Sequence, residues 1–378
     1  MRQLWMGLGA STLLLTSAGT ALGQQTPMAA VPSLPNIPNV SSPAQPSPKN
    51  ERAALVTEVN NQIVAVSKTD RNLVLLQSIL AQPEDSIDLA KAEVAIEKMV
   101  DPRVNEAVTL NQLDQLAVAI KAKFPQGDAT DPEQKALLLI SSLKDPGPWN
   151  GNKPFLYDLD NPLGKNPEDK LLSTYLTTHK GNCVSMPVLF VVLGQKLGLP
   201  VTLSTAPFHA FARLRKDDGT WLNIEVTSYG TISDESYQRQ MDITPLAIQK
   251  GTYLKTLTRK QSVLVMAGTL MQFYSHHRSP DQQLALTSVV LMTDSSNVDA
   301  WIWRGDAYGQ MMDDRFIKRY GSVEKIPASK RQGYDILHQN NGDMFRRAEE
   351  LGWVAETPEH QAQYLEGIKK VKAARRGG

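Results

Sequence analysis

The chain has 378 residues, 41% of them hydrophobic and 21% charged, with 40 Lys and Arg against 39 Asp and Glu. This is globular composition, long enough for two or three domains, and it excludes a chain disordered throughout. The charge balance gives no ground for a surface built to hold nucleic acid or an anionic membrane, and a single cysteine excludes an internal disulfide.

Arg2, the apolar run from Leu4 to Leu15 and the segment Ala21-Leu22-Gly23 predict a signal peptide over residues 1–23, cleaved before Gln24. The run is too short for a membrane span. No cysteine follows it to carry a lipid. Loss of Arg2 leaves 39 basic residues against 39 acidic, a mature chain of net charge zero with no membrane span. The expected location is the periplasm or the medium. Residues 24–50, rich in Pro, Ser, Asn and Gln, cannot bury enough apolar surface to offset ordering entropy and are expected to be a disordered linker.

From Glu51 apolar residues recur at helical spacing, through Ala53, Leu55, Val56 and Val59 and then Leu73, Leu75, Leu76 and Ile79. A further helix is predicted over Ser86 to Met99, with Ser86 as N-cap and Asp101-Pro102 ending it. Leu110 to Ala122 is the next. Asp131-Pro132-Glu133 opens another, with Pro at its first position. Residues 51–145 therefore read as a helical unit, closed by Asp145-Pro146-Gly147-Pro148. Residues 146–170 read as an ordered surface loop, and Leu171 to Thr178 as a short helix.

The sole cysteine lies in Gly181-Asn182-Cys183-Val184-Ser185-Met186-Pro187, before an apolar run that ends at Leu197-Gly198-Leu199-Pro200. Pro187 is tolerated only in a first helical turn, so regular hydrogen bonding should start near Val184 or Ser185, with Cys183 at the helix mouth. There the helix dipole favours a thiolate. In an oxidising compartment a lone thiol risks oxidation, so a chain that keeps one has reason to use it. The alternative is a small buried hydrophobe.

Downstream the periodicity switches to alternation. Ala206–Arg215 and Thr220–Thr227 predict a hairpin around Asp217-Asp218-Gly219. A three-residue loop sets Lys216 against Thr220. It then sets His209 opposite Thr227, with Glu225 diagonal to His209 on one face, while a two-residue loop would part them. Cysteine catalysis needs a base and a group to orient it. The candidate triad is Cys183, His209 and Glu225, with Asn223 as a second candidate for the orienting role and Arg213 as a rival partner for Glu225. Glu225→Gln is expected to be milder than loss of Cys183 or His209. His179 reads as a polar loop residue. His276-His277 carry no metal motif, because adjacent side chains diverge and no third ligand is suitably spaced. No phosphate loop or dinucleotide fingerprint is present, and no cofactor or metal is expected.

Gly181-Asn182-Cys183 with the helix to Leu199-Pro200-Val201, then His209-Ala210-Phe211, then Trp221-Leu222-Asn223-Ile224-Glu225-Val226-Thr227, resembles the core of the transglutaminase-like superfamily. The resemblance spans about residues 70–310. It implies an α+β, papain/transglutaminase-like fold, in which a cysteine-bearing helix packs on a small antiparallel sheet. The helical preface and the stretch from Asn161-Pro162 to Thr178 resemble a bacterial branch whose tail is often a tetratricopeptide-like helix pair. Two positions depart from the family pattern: Glu225 stands where aspartate is usual, and Phe211 where tryptophan is usual.

Val263 to Tyr274, Gln282 to Met292 and Asn297 to Met311 read as successive helices. With Ala300, Trp301, Gly305 and Tyr308 they look like one tetratricopeptide repeat and the start of another. Trp301 and Trp303 serve there as packing anchors or as a peptide surface. The expected division is a signal peptide 1–23, a linker 24–50, a helical unit 51–145, a catalytic core 146–260, tetratricopeptide-like helices 261–312, and C-terminal helices with a tail 313–378. The expected function is an exported cysteine hydrolase or transamidase acting on peptide or isopeptide bonds, with cell-wall peptides among the candidate substrates. The rival is a non-catalytic envelope scaffold that binds a protein partner on the repeat region.

Overall fold

The computed structural model describes residues 61–376 apart from residue 62 and residues 125–130. The expected signal peptide and linker lie outside the described residues.

The N-terminal part consists of α1 (Arg71–Leu80), α2 (Leu89–Val100), α3 (Glu106–Lys121) and α4 (Pro132–Lys144). Asp70, Asp88, Asn105 and Asp131 cap them, each side chain accepting from backbone N–H groups of the first turn. Asp88, and not Ser86, caps α2. Glu84–Ser86 instead forms a separate 3₁₀ turn after Pro83, so the helix starts three residues later than its apolar pattern suggests.

Residues 146–170 are less superficial than their Pro and Gly content implies. Leu156–Tyr157 (β1) pairs in parallel with Lys180–Gly181 (β2). That pairing buries Phe155 and Tyr157 beside α5 (Leu172–Thr178). His179 closes α5 in the left-handed region at φ 58°, stacked on Phe155 at 4.0 Å, and its Nδ1 contacts Lys153 C=O. It is a structural cap.

The cysteine-bearing helix is α6 (Ser185–Lys196), and every residue from Ser185 to Gly194 is buried. It packs on the antiparallel sheet β3 (Val201–Ala206), β4 (His209–Arg215), β5 (Trp221–Glu225) and β6 (Gly230–Thr231), in that spatial order. Lys216 N–H bonds Thr220 C=O, and Arg215 stands opposite Trp221, so the register is the one the three-residue loop requires. Gly219 takes φ 82° in that turn, a conformation that glycine adopts without strain. Leu203, Ala212, Leu214, Ile224 and Val226 join the α6 side of the sheet. Phe211 and Ala206 join a second cluster with Tyr237, Tyr253, Leu254 and Trp353. Both faces are therefore covered, which is why all of His209–Leu214 is buried in a strand whose sequence alternates.

After α7 (Asp234–Gln240) and α8 (Pro245–Gln249) the chain is helical. The elements are α9 (Arg259–His276), α10 (Pro280–Thr293), α11 (Val298–Met312), α12 (Ala328–Glu350) and α13 (Pro358–Arg376). α10 packs on α9 and α11, and α12 lies along α11. α9 also packs on α2. One apolar cluster includes residues from Ile63 to Ile368 and crosses both position 145 and position 260. No helix among the described residues is long and apolar enough to cross a membrane.

A buried carboxylate ties the N-terminal helices to this core. Glu97 of α2 accepts the Ser173 N–H at 3.1 and 3.2 Å, capping α5 from another helix. Burial holds its pKa at about 7, against an ordinary 4.5, although Ser173 pulls the other way. Glu93 beside it is raised by burial and then by the Glu97 charge. The folded-state value of Glu97 exceeds its unfolded value, so the folded chain binds the extra proton between about pH 4.5 and 7. Stability from this group falls as pH rises through that window. Glu97→Gln keeps an acceptor for Ser173 without the charge. Its melting temperature should therefore decline less than the parent's between pH 5 and 8 in thermal melts. Equal slopes would show that Glu97 does not titrate in this way.

Candidate active site

Asn182 builds the mouth of α6. Its Oδ1 accepts from Val184 N–H at 3.0 Å and Ser185 N–H at 3.1 Å, its own N–H donates to Ser185 Oγ at 3.1 Å, and its Nδ2 donates to Asp169 C=O at 2.8 Å. Cys183 is thus locked on the first turn, at the positive end of the helix dipole. Gly181 precedes it because nothing larger fits: a Cβ there would lie 2.7 Å from both Met186 and Tyr175.

The base arrives from β4. The β3–β4 turn is only Pro207-Phe208, and Phe208 is left-handed at φ 56°, a strained conformation for a bulky side chain. The Phe208 carbonyl faces the Cys183 thiol with Sγ 3.8 Å away. The next residue is His209. Its Nε2 lies 2.6 Å from Glu225 Oε2, and the two side chains are 1% and 2% exposed. Nδ1 is buried and makes no hydrogen bond, and Cys183 is near enough to the ring for its charge to be felt there. Glu225 thus holds one imidazole nitrogen, and the other is unpaired on a ring that lies near Cys183.

Glu225 receives three further bonds. Thr227 donates its N–H at 3.0 Å and its hydroxyl at 2.5 Å to Oε1, and Tyr237 donates its hydroxyl to Oε2 at 2.6 Å. Burial opposes both charges of the pair, but mutual attraction and these donors win. His209 is held at about 10, and Glu225 is lowered despite its burial. The imidazolium–carboxylate form thus persists across neutral pH. A cation beside a thiol favours its thiolate.

Asn223 does not orient His209. It accepts from Arg213 Nε at 2.7 Å and donates to Asp234 at 2.6 Å. Arg213 is bidentate to Asp234 and also donates to Leu254 C=O, so it does not compete for Glu225 either. His276 and His277 lie apart from the site, and no metal-binding cluster exists among the described residues.

Two tyrosines escaped the sequence reading. Tyr157 from β1 and Tyr364 from α13 join hydroxyls at 2.7 Å, one donating to the other, and both lie within reach of Pro162 C=O at 2.9 and 3.1 Å. Burial raises both above the ordinary phenol, and the neighbouring Cys183 charge adds to this. They stand close to the thiol, and Cys183 is only 4% exposed. The two residues are separated by 207 positions, so no local pattern could have paired them.

A helix-mouth cysteine therefore lies near a histidine and a carboxylate that are carried on adjacent antiparallel strands. Residues 107–263 match the family model described as the transglutaminase-like superfamily. The chain therefore carries a transglutaminase-like domain, of a superfamily that is generally enzymatic, with cysteine peptidases and transglutaminases among its members. No curated protein matches the chain. A solved structure of menin, described as revealing the binding site for the Mixed Lineage Leukemia (MLL) protein, is similar over 78% of this chain and 86% of its own, at 14% identity and a TM-score of 0.35.

Proposed function

We propose that the chain is an exported cysteine hydrolase or transamidase that acts on amide bonds through Cys183, His209 and Glu225. The observation that carries this reading is the buried His209–Glu225 pair near the helix-mouth thiol, with Nε2 committed to Glu225 and Nδ1 unpaired. In the proposed cycle the Cys183 thiolate attacks the amide carbonyl. The His209 Nδ1–H protonates the departing amine, leaving a thioester. Water, or an acceptor amine, then loses its proton to His209 as it displaces the thiolate, which gives the acid or a new amide. Val184 and Ser185 N–H are taken by Asn182, so Cys183 N–H is the candidate oxyanion donor on this turn.

Labelling with iodoacetamide across pH tests the reading. The parent chain should label at pH 6 nearly as fast as at pH 8. His209→Ala should label mainly above about pH 8, where an unassisted thiol ionises. Equal rates at pH 6 would mean that the imidazole does not activate the thiol. The second reading, a partner-binding envelope scaffold, is favoured by the burial of Cys183 beneath Tyr157 and Tyr364, and it would then be the better one. Export rests on the sequence of residues 1–23. Intact mass of envelope-fraction protein should give a chain starting at Gln24, and retention of Met1–Gly23 would reject it.

A further inference from the structure

A cleft of about 140 Å³ opens beside the site, walled by the His209 end of the sheet, by α9 and by the first turn of α11. Besides His209, four charged side chains line it. Lys255 and Asp294 satisfy each other at 3.1 Å, with Ser296 and Gln261 completing their shells. The other two, Lys170 and Asp299, form no hydrogen bond or ion pair with any described residue. They feel each other's charge without closing to contact distance.

Lys170 is 8% exposed. Its stem is covered, while its ammonium is not sealed from solvent and faces the cleft with no side-chain partner. Burial depresses its pKa, while Cys183, Asp169 and Asp299 partly restore it. Its position is well defined. Its stem packs beside Gly164, where a Cβ would come within 3.3 Å of Lys170 Cε and 3.2 Å of Asn182 Nδ2, and the preceding carbonyl is bonded to Asn182. Lys170 is therefore fixed to the residue that caps the cysteine helix. Asp299 is open to the cleft yet surrounded by protein, and burial raises it to about 6 while Lys170 opposes the rise. Trp303 lends this end of the cleft an apolar surface.

We propose that this cleft binds the free head group of an amino acid, its carboxylate on Lys170 and its ammonium on Asp299, and so presents a side-chain amide to Cys183. A zwitterion supplies one partner to each unpaired charge and leaves the cleft neutral. The substrate class is then an amide or isopeptide on the side chain of a residue whose α-amino and α-carboxyl groups are both free. An internal residue of a polypeptide offers neither charge. The delivery step rests on the reading of Cys183 as nucleophile, whereas the binding step does not.

The test is isothermal titration of the full chain carrying Cys183→Ala, so that no turnover interferes. The probes are L- and D-glutamine, their Nα-acetyl forms, which lack the ammonium, and their α-amides, which lack the carboxylate. One enantiomer of glutamine should bind, and each blocked form should bind about tenfold more weakly or worse, as loss of a charged hydrogen bond implies. Adding Lys170→Met should erase the preference for a free carboxylate and keep that for the ammonium. Adding Asp299→Asn should do the reverse, and this open position keeps the test valid even where Lys170→Met folds poorly. Free and blocked forms binding alike would overturn the proposal. So would a parent chain that hydrolyses amides while neither glutamine binds its Cys183→Ala form. Glutamine binding by a chain whose thiol labels only as an ordinary thiol would keep the cleft and discard the hydrolase reading.

Discussion

Cys183→Ala is expected to abolish the proposed amide turnover, by a factor on the order of 10⁵ or more, because neither His209 nor Glu225 can form the thioester. The fold survives. The substitution removes one small buried sulfur, which lies 3.8 Å from Phe208 C=O, at a stability cost of ~1 kcal/mol. Turnover of an amide substrate and a thermal melt on the same preparation check both halves. Residual turnover within tenfold of the parent would remove Cys183 from the chemistry and leave the transglutaminase-like domain as a structural relic.

Glu225→Gln should lower turnover by about 10³–10⁴ while leaving the chain folded, since a carboxylate that fixes the histidine tautomer is worth that much in a comparable triad. The sequence alone suggests a milder effect, an altered charge with the nucleophile intact. The contacts keep it milder than loss of Cys183 but make it far from small. All four bonds to Glu225 are donated to it, by Thr227 N–H, Thr227 Oγ1, Tyr237 Oη and His209 Nε2. A glutamine must place its NH₂ on one side. The Thr227 N–H cannot turn round to accept, but the Tyr237 hydroxyl and an unprotonated Nε2 can. The amide nitrogen therefore settles against His209 and forces the proton onto Nδ1 of a neutral ring. That ring cannot take a proton from the thiol. The pH profile of thiol labelling should move alkaline, as for His209→Ala. A profile unchanged from the parent's would show that Glu225 does not set the tautomer.

The hairpin was legible because its turn is local. Asp217-Asp218-Gly219 fixes Lys216 against Thr220, and a two-residue period carries that register along β5 to Glu225 and along β4 to His209. The helix mouth was legible because Pro187 leaves few starting points. What escaped shares one property: it depends on residues far apart in the chain. Lys170 lies in a stretch rich in Pro and Gly, with no periodicity to mark it as buried. Tyr364 reaches Tyr157 across most of the molecule. β3 begins directly after the helix stop at Pro200, and its alternation lapses at Thr205, so only its last residue, Ala206, was read as strand. Asp88 lost to Ser86 as a cap because both are good caps and only packing chooses between them.

The contact between α2 and α9 spans roughly 170 residues. Closing so long a segment adds little to its thermodynamic cost, since the penalty grows only with the logarithm of length, but it delays the contact in time. The cluster around α6 includes Leu264, Leu270 and Met271 of α9, so it cannot seal before those residues have been made. Cys183 is open to oxidants throughout that interval. A second cysteine anywhere in the chain would give it an intramolecular trap during slow assembly, and this sequence contains none. The solitary thiol has no wrong disulfide to form within its own chain.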